Sequence, residues 1–294
     1  MRLLLVPNSC ARSGQAGKQL DGLRLAMDNL GLDAELLDVN SAEQVTRGVA
    51  SARLAEFDAV VAAGGDGTLF RVLNGLVLNA DSCPLGVIPL GTGNAFARDL
   101  GLLKNEWIKA LDIIHRGRTR AADIGEVRCA DRRFYFLNIV GIGFVVEAGI
   151  TASRLKFTGP VSYSLAALWN MLRLKHQHLE FVCDGASTKI DSLFLELSNS
   201  RYTGTNFLIA PEARIDDGLL DLTLLNRVSR GRLLRLFPTI FSGRHVQFEE
   251  VQTGQIRELE LLKPAGMPLM ADGELIGQTP ARIRCLPAAI DLLC

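Results

Sequence analysis

Three glycines surround one carboxylate in Gly64-Gly65-Asp66-Gly67-Thr68, directly after the apolar run of residues 57–63. Glycine removes the Cβ that would block positive φ or hold a ligand away from the backbone. Successive open N–H groups then form a concave anion site suited to phosphate. Asp66 is out of place there, because a carboxylate repels phosphate unless a cation or a second role accompanies it. The loop therefore points to a nucleotide and a metal together. The competing account is a glycine-rich strand-to-helix turn with no ligand, and the flanking of a carboxylate by three glycines weighs against it.

Three further segments have the residue types for chemistry. Gly91-Thr92-Gly93-Asn94 follows another apolar run, residues 84–90. Thr92 and Asn94 offer a hydroxyl and an amide to phosphate or ribose; a tight turn with Asn94 capping a helix fits equally well. Loops on consecutive strands of an open α/β sheet face one crevice beyond the strands' carboxyl ends. The third segment, residues 211–221, holds Asp216, Asp217 and Asp221 around Gly218. Hard oxygen ligands at that density suit magnesium or calcium, with backbone carbonyls completing the shell. On spacing alone a polar β-turn accounts for them better. The fourth is Met270-Ala271-Asp272-Gly273-Glu274. A carboxylate at a hairpin turn is commonplace, but folded over the nucleotide loops Asp272 would accept a hydroxyl proton as that oxygen attacks a γ-phosphate. His115, His176, His178 and His245 have no metal-ligand spacing, and no GxSxG elbow is present.

The elements that must carry these segments follow from periodicity. Residues 2–6, 34–39, 57–63 and 84–90 read as strands. Leu20, Leu23, Met27 and Leu30 mark one helical face, and residues 42–55 and 69–79 give two more helices. Strands alternating with helices imply a doubly wound parallel sheet. After about residue 123 the pattern becomes β-rich: strands at 126–130, 133–140, 179–184, 188–198, 219–225, 246–252 and 256–262. Asp184-Gly185 and Asp272-Gly273 give hairpin turns, and one helical insertion spans 161–174. The expected architecture is an α/β domain of residues 1–124 binding ATP, then a β-rich, sandwich-like domain of residues 125–294 taking the substrate. The extreme C-terminus is allowed to return to the first domain.

Equal numbers of acidic and basic residues, 32 of each, argue against a broad basic face for nucleic acid. The six cysteines lack a CxxC pair, which suits reduced thiols in a cytosolic protein rather than a zinc site. No apolar stretch reaches the length of a transmembrane segment.

The four segments, in this order, resemble the diacylglycerol kinase catalytic-domain family, and specifically the soluble bacterial lipid kinases related to diacylglycerol and sphingosine kinases. The resemblance spans nearly the whole chain; the first loop alone is also like that of NAD kinases. It implies an ATP- and Mg2+-dependent lipid kinase. Gly64, Gly65, Asp66, Gly67 and Thr68 would hold the ATP phosphates, with Thr92 and Asn94 beside them and Asn40 by the adenosine. Asp272 would be the proton acceptor. A structural Mg2+ would bind the Asp217 side chain and the carbonyls of Arg214 and Leu219, while Arg98 and Asp123 would join a charge network. Diacylglycerol is the default acceptor, giving phosphatidic acid for phospholipid biosynthesis; a sphingoid base or phosphatidylglycerol remain alternatives. The expected setting is cytoplasmic, at the inner face of the membrane, with a homodimer compatible. Residues 157–174, apolar with a basic end, are the candidate lipid contact, although an ordinary packed helix explains most of them. The chain departs from the family pattern at Ala95, acidic in some members, and at Pro7-Asn8, where the order is reversed. An NAD kinase and a non-catalytic nucleotide or lipid sensor are the rival readings. The 216–218 element weighs against the first, and an intact Asp272 against both.

Overall fold

The computed structural model describes residues 1–8, 14–39, 41–103, 106–130, 132–154, 162–171, 175–204 and 206–294. The chain forms two compact units: Met1–Ala122 together with Ala288–Cys294, and Asp123–Pro287.

The first unit alternates β1 (Arg2–Pro7), α1 (Gly14–Asn29), β2 (Asp33–Leu36), α2 (Ala42–Ser51), β3 (Ala59–Gly64), α3 (Asp66–Leu78), β4 (Leu85–Pro89), α4 (Ala95–Asp99) and α5 (Trp107–Arg116). Strands β2, β1, β3 and β4 lie side by side in parallel. Every residue of β3 and β4 is buried, which explains why they read as unbroken apolar runs rather than alternating ones. The end of the chain, in β17 (Ala281–Leu293), adds a further parallel strand by pairing Leu292 with Leu85 of β4. The helix expected over 42–55 stops at Ser51, where Ala52 turns extended, and a separate 3-10 turn spans Leu54–Glu56.

The second unit begins within β5 (Thr119–Cys129), which forms a hairpin with β6 (Arg132–Phe136). It continues through β7 (Ile139–Gly143), α6 (Phe144–Arg154), α7 (Ser162–Met171), β8 (Gln177–Cys183), β9 (Ala186–Ser198), β10 (Tyr202–Thr203), β11 (Phe207–Leu208), β12 (Leu220–Asn226) and α8 (Arg230–Leu236). Then come β13 (Val251–Ile256), β14 (Glu258–Lys263), β15 (Pro268–Ala271), β16 (Glu274–Gln278) and the first part of β17. The long strand β9 organises the unit, pairing antiparallel with β7, β8 and β12. Asp184 (φ 43°) and Gly185 (φ 86°) both turn left-handed between β8 and β9, as do Asp272 (φ 48°) and Gly273 (φ 84°) between β15 and β16. These are the hairpin turns that Asp-Gly favours.

Three sequence expectations give way here. The strand expected over 133–140 is broken into β6 and β7, because the N–H groups of Leu137 and Asn138 bond the Asp272 carboxylate instead of a neighbouring strand. The strand expected at 246–252 is replaced by a 3-10 turn over Arg244–Gln247, with β13 starting only at Val251. His245 draws that turn inward by bonding the Ile209 carbonyl at 2.9 Å. The single helical insertion is instead two helices, α6 and α7, with α8 added later. Part of the expected 161–174 segment lies outside the described residues.

Candidate active site

The two glycine turns lie at the carboxyl ends of the adjacent parallel strands β3 and β4, and they touch through their backbones. A Cβ on Gly91 would fall onto the Cα of Gly65 and come within 2.8 Å of the Gly65 nitrogen. A Cβ on Gly64 would overlap Thr68, 2.7 Å from its Cβ. None of these glycines has positive φ; Gly65 is extended at φ −100°. Close approach, not left-handed backbone, is what requires glycine here. Beyond the turns, α3 starts at Asp66 with Gly65 as its N-cap and no side-chain cap. Such a helix start attracts anions through its N–H groups and dipole. Gly64, Gly65, Asp66, Leu69 and Asn94 help line a hollow of ≈ 200 Å³. Arg71, one turn into α3, donates to the Gly67 carbonyl at 2.8 Å and so brings a positive charge to the loop.

Asp66 has a role that its neighbours in sequence do not reveal. Its carboxylate accepts the Phe96 N–H at 3.3 Å and is also bonded by the N–H groups of Asn94 and Ala95. It therefore binds the start of α4 to the start of α3, locking the two loops together. Burial outweighs these bonds and raises its pKa above the usual carboxylate value. The oddity of a carboxylate in a phosphate loop is thus met by its second role, and Asp66 needs no metal to explain it. Asn94 sits in left-handed backbone (φ 56°). Its Oδ1 accepts the Gly91 N–H at 3.0 Å and its Nδ2 donates to the Gly91 carbonyl at 2.9 Å. Its amide thus fastens the second loop. Thr92 is exposed at that loop's tip. Asn40 lies outside the described residues.

In the second unit Asp272 is 7% exposed, held at the tip of the β15–β16 hairpin. Its Oδ2 accepts the Leu137 N–H at 2.9 Å, and its Oδ1 accepts those of Asn138 and Ile139 at 3.0 Å each. Three of its roughly four lone-pair directions are thus fixed by backbone donors, which orients the carboxylate firmly.

The acidic segment 212–221 is knit into this unit by Asp123, whose Oδ2 accepts the Gly218 N–H at 2.6 Å. Asp217 Oδ1 accepts from the Leu219 N–H at 3.1 Å and Oδ2 from Gln255 at 3.3 Å, while Arg214 pairs with Asp216 at 3.2 Å. Asp221, which sequence spacing placed beside them, has a buried Oδ2 with no partner. Its pKa is pushed up to about 6, by burial first and then by the charges of Asp217 and Glu212. Such under-compensated acid fits a bound cation. No cluster of three metal-ligating side chains occurs among the described residues, so backbone oxygens would have to complete any shell.

A larger cavity of ≈ 650 Å³ lies inside the second unit. Phe144 and Ala148 of α6, Met171 of α7, Phe194 of β9, Leu236 of α8 and Ile240 are among its walls. Two titratable groups interrupt this apolar lining. Glu196, 1% exposed, has neither carboxyl oxygen bonded, and His245 has an unbonded Nδ1. Burial alone pushes Glu196 up to about 8, and burial lowers the His245 pKa against the pull of the Ile209 carbonyl. Neither residue was singled out from sequence. The available signal was a lone acid inside the apolar run Leu193-Phe194-Leu195-Glu196-Leu197.

The architecture, an α/β unit with paired glycine loops followed by a β-rich unit, is also that of solved kinase structures. Residues 2–127 match the diacylglycerol kinase catalytic domain, and residues 138–294 match the YegS C-terminal NAD kinase beta sandwich-like domain. A curated diacylglycerol kinase of Mycobacterium tuberculosis (strain ATCC 25618 / H37Rv) is 33% identical, over 99% of this chain and 94% of the relative. The crystal structure of a diacylglycerol kinase from Bacillus anthracis str. Sterne superposes with a TM-score of 0.75 at 18% identity, covering 99% of this chain and 96% of that one. An NAD kinase from Archaeoglobus fulgidus in complex with ATP superposes at 0.52 and 15% identity, covering 100% and 94%, a likeness of fold alone. The chain belongs to the diacylglycerol kinase family and is an enzyme of the kinase class.

Proposed function

We propose that this kinase transfers the γ-phosphoryl group of ATP to the hydroxyl of a membrane lipid, with diacylglycerol giving phosphatidic acid. The observation that carries the lipid acceptor is the ≈ 650 Å³ apolar cavity of the second unit. Its lining is almost wholly apolar, which suits hydrocarbon. A dinucleotide acceptor would need polar and cationic walls, and the described residues of this cavity supply no cation.

In this reading the 64–68 loop and the start of α3 take the ATP phosphates, while Thr92 contacts the nucleotide and Asn40 lies by the adenosine. Asn94 acts by holding the Gly91 turn. The lipid oxygen forms a bond to the γ-phosphorus as the bond to the bridging oxygen of ADP breaks, and Asp272 receives the hydroxyl proton. Asp217, with the carbonyls of Arg214 and Leu219, would hold Mg2+, and the unbonded Oδ2 of Asp221 supports that assignment. When bound, the ion supplies charge neutralisation to this acidic segment.

Peripheral membrane attachment, at the cytoplasmic face, is supported by α7. Its Ala166, Ala167 and Met171 are buried, whereas Leu165, Leu168 and Trp169 are exposed, the last by 56%. Trp and Leu together on one helical face suit the headgroup–acyl boundary. No helix among the described residues is long and apolar enough to cross a membrane.

The test offers γ-labelled ATP and Mg2+ with either dispersed diacylglycerol or NAD. Label in phosphatidic acid, falling about 10²- to 10⁴-fold in D272N, is expected. Label in NADP instead, or undiminished turnover by D272N, would refute the reading.

A further inference from the structure

Glu196 lies near the carboxyl end of β9, where that strand is flanked by two others. It is paired with Gly141 of β7 on one side and Thr223 of β12 on the other. A residue there is expected to be apolar, as Leu193, Phe194, Leu195 and Leu197 around it are. A buried carboxyl without a partner destabilises a fold, so its presence in a cavity wall calls for a compensating group that the described residues do not supply. Among the described residues no Lys or Arg lines the cavity, and the other titratable group on its wall is His245. His245 donates through Nε2 to the Ile209 carbonyl, which leaves Nδ1 a bare acceptor rather than a countercharge. An unpaired carboxyl in such surroundings is held as the neutral acid, which has one O–H to donate.

We infer that Glu196 reads the acyl ester of the lipid, donating its carboxylic O–H to an ester carbonyl inside the apolar cavity. The cavity walls take the hydrocarbon on either side of that carbonyl. Glu196 is then a specificity residue, selecting acyl-linked over alkyl-linked chains. For the identity of its ligand the inference rests on the lipid-kinase reading.

The experiment measures equilibrium binding, without ATP, of dioctanoylglycerol and of its ether analogue dioctylglycerol. Wild type is expected to bind the ester about fivefold more tightly, the worth of one net hydrogen bond. Glu196→Gln keeps the preference, because its carboxamide still donates, while Glu196→Leu binds both equally. In wild type alone, a ¹³C=O label in the ester shifts its stretching band to lower frequency on binding, which covers the case of a Leu variant that fails to fold. An unshifted band, no ester preference in wild type, a preference intact in Glu196→Leu, or binding of neither compound overturns the inference. Turnover with Mg-ATP is read separately. Selective binding without phosphorylation sinks the lipid-kinase reading and spares the role of Glu196, and phosphorylation without selectivity does the reverse.

Discussion

Replacing Gly91 with alanine should be far more damaging than replacing Gly65, although both glycines belong to the same contact. At position 91 the new Cβ would land on the Cα of Gly65, 2.7 Å from Asn94 Oδ1 and 2.8 Å from the Gly65 nitrogen. Those atoms are backbone, or a side chain already fixed by two bonds to Gly91, so none can swing away. At position 65 the Cβ would meet Gly91 Cα at 3.1 Å and Asn94 Oδ1 at 3.7 Å, a squeeze of a few tenths of an ångström. Overpacking costs about 1–3 kcal/mol, and Gly91→Ala belongs at the upper end because it also disturbs the Asn94 clasp. With unfolding entropy near 2.1 cal/mol/K per residue, 3 kcal/mol lowers Tm by about 11 °C if the first unit melts alone, or about 5 °C if the chain melts as one. Gly65→Ala should stay below about 1 kcal/mol. Scanning calorimetry with and without Mg-ATP measures both effects, and Gly91→Ala should also lose protection by the nucleotide. A Gly91→Ala melt within 2 °C of wild type, or a greater loss in Gly65→Ala, would refute the packing argument.

Glu126 is buried against Arg128, Arg133 and Arg284. Burial alone would raise its pKa, but the bonds from Arg128 and Arg284 outweigh it and the net shift is downward. Its contribution is therefore present above the ordinary value of 4.5 and is lost as pH falls through the lowered one. Glu126→Gln should cost about 1–2 kcal/mol at pH 7, discounted for the solvent screening of the arginines, and denaturation at pH 3 should shrink the difference. Glu196 behaves in the opposite sense. Its pKa, raised from 4.5 to about 8, removes stability progressively across that interval as pH rises. At about 1.4 kcal/mol per pH unit, Glu196→Gln should melt well above wild type at pH 8 and level with it at pH 4.5. Mg2+ should raise the Tm of wild type by several degrees at a hundredfold excess over Kd, and leave Asp217→Ala unmoved. Trp169→Glu should weaken co-sedimentation with phospholipid vesicles by about tenfold or more without changing the melt.

The strands β1, β3 and β4 were legible because burial on both faces leaves an unbroken apolar run, and the Asp-Gly hairpins because both residues need left-handed backbone. Helix α6 was not. Phe144, Val145, Val146 and Ala148 are drawn to the cavity and core from several directions, so the run lacks the 3.6-residue period that betrays a helix. Within the site, glycine marked the loops, and the structure adds a reason not read from sequence: Gly64, Gly65 and Gly91 allow close packing without positive φ, and it is Asn94 that turns left-handed. The backbone bonds of Asp66 and Asn94 could not be told from ligand contacts in sequence, because a polar side chain in a glycine turn has the same appearance in either role. Partner choice across thirty residues, as between Asp66 and Phe96, leaves no local trace. Glu196 left one, an acid inside an apolar strand, whose weight depends on knowing that its neighbours enclose a cavity.

The return of the last residues to the first unit has a consequence for how the protein is made. During synthesis β1 to β4 emerge first, yet the edge of β4 stays uncovered until residues 288–294, which follow the entire second unit, leave the ribosome. An exposed parallel edge is prone to pair wrongly in the interval. It also means that removing residues 288–294 would leave the β4 edge bare and the first unit without one of its parallel strands, however intact the second unit remained.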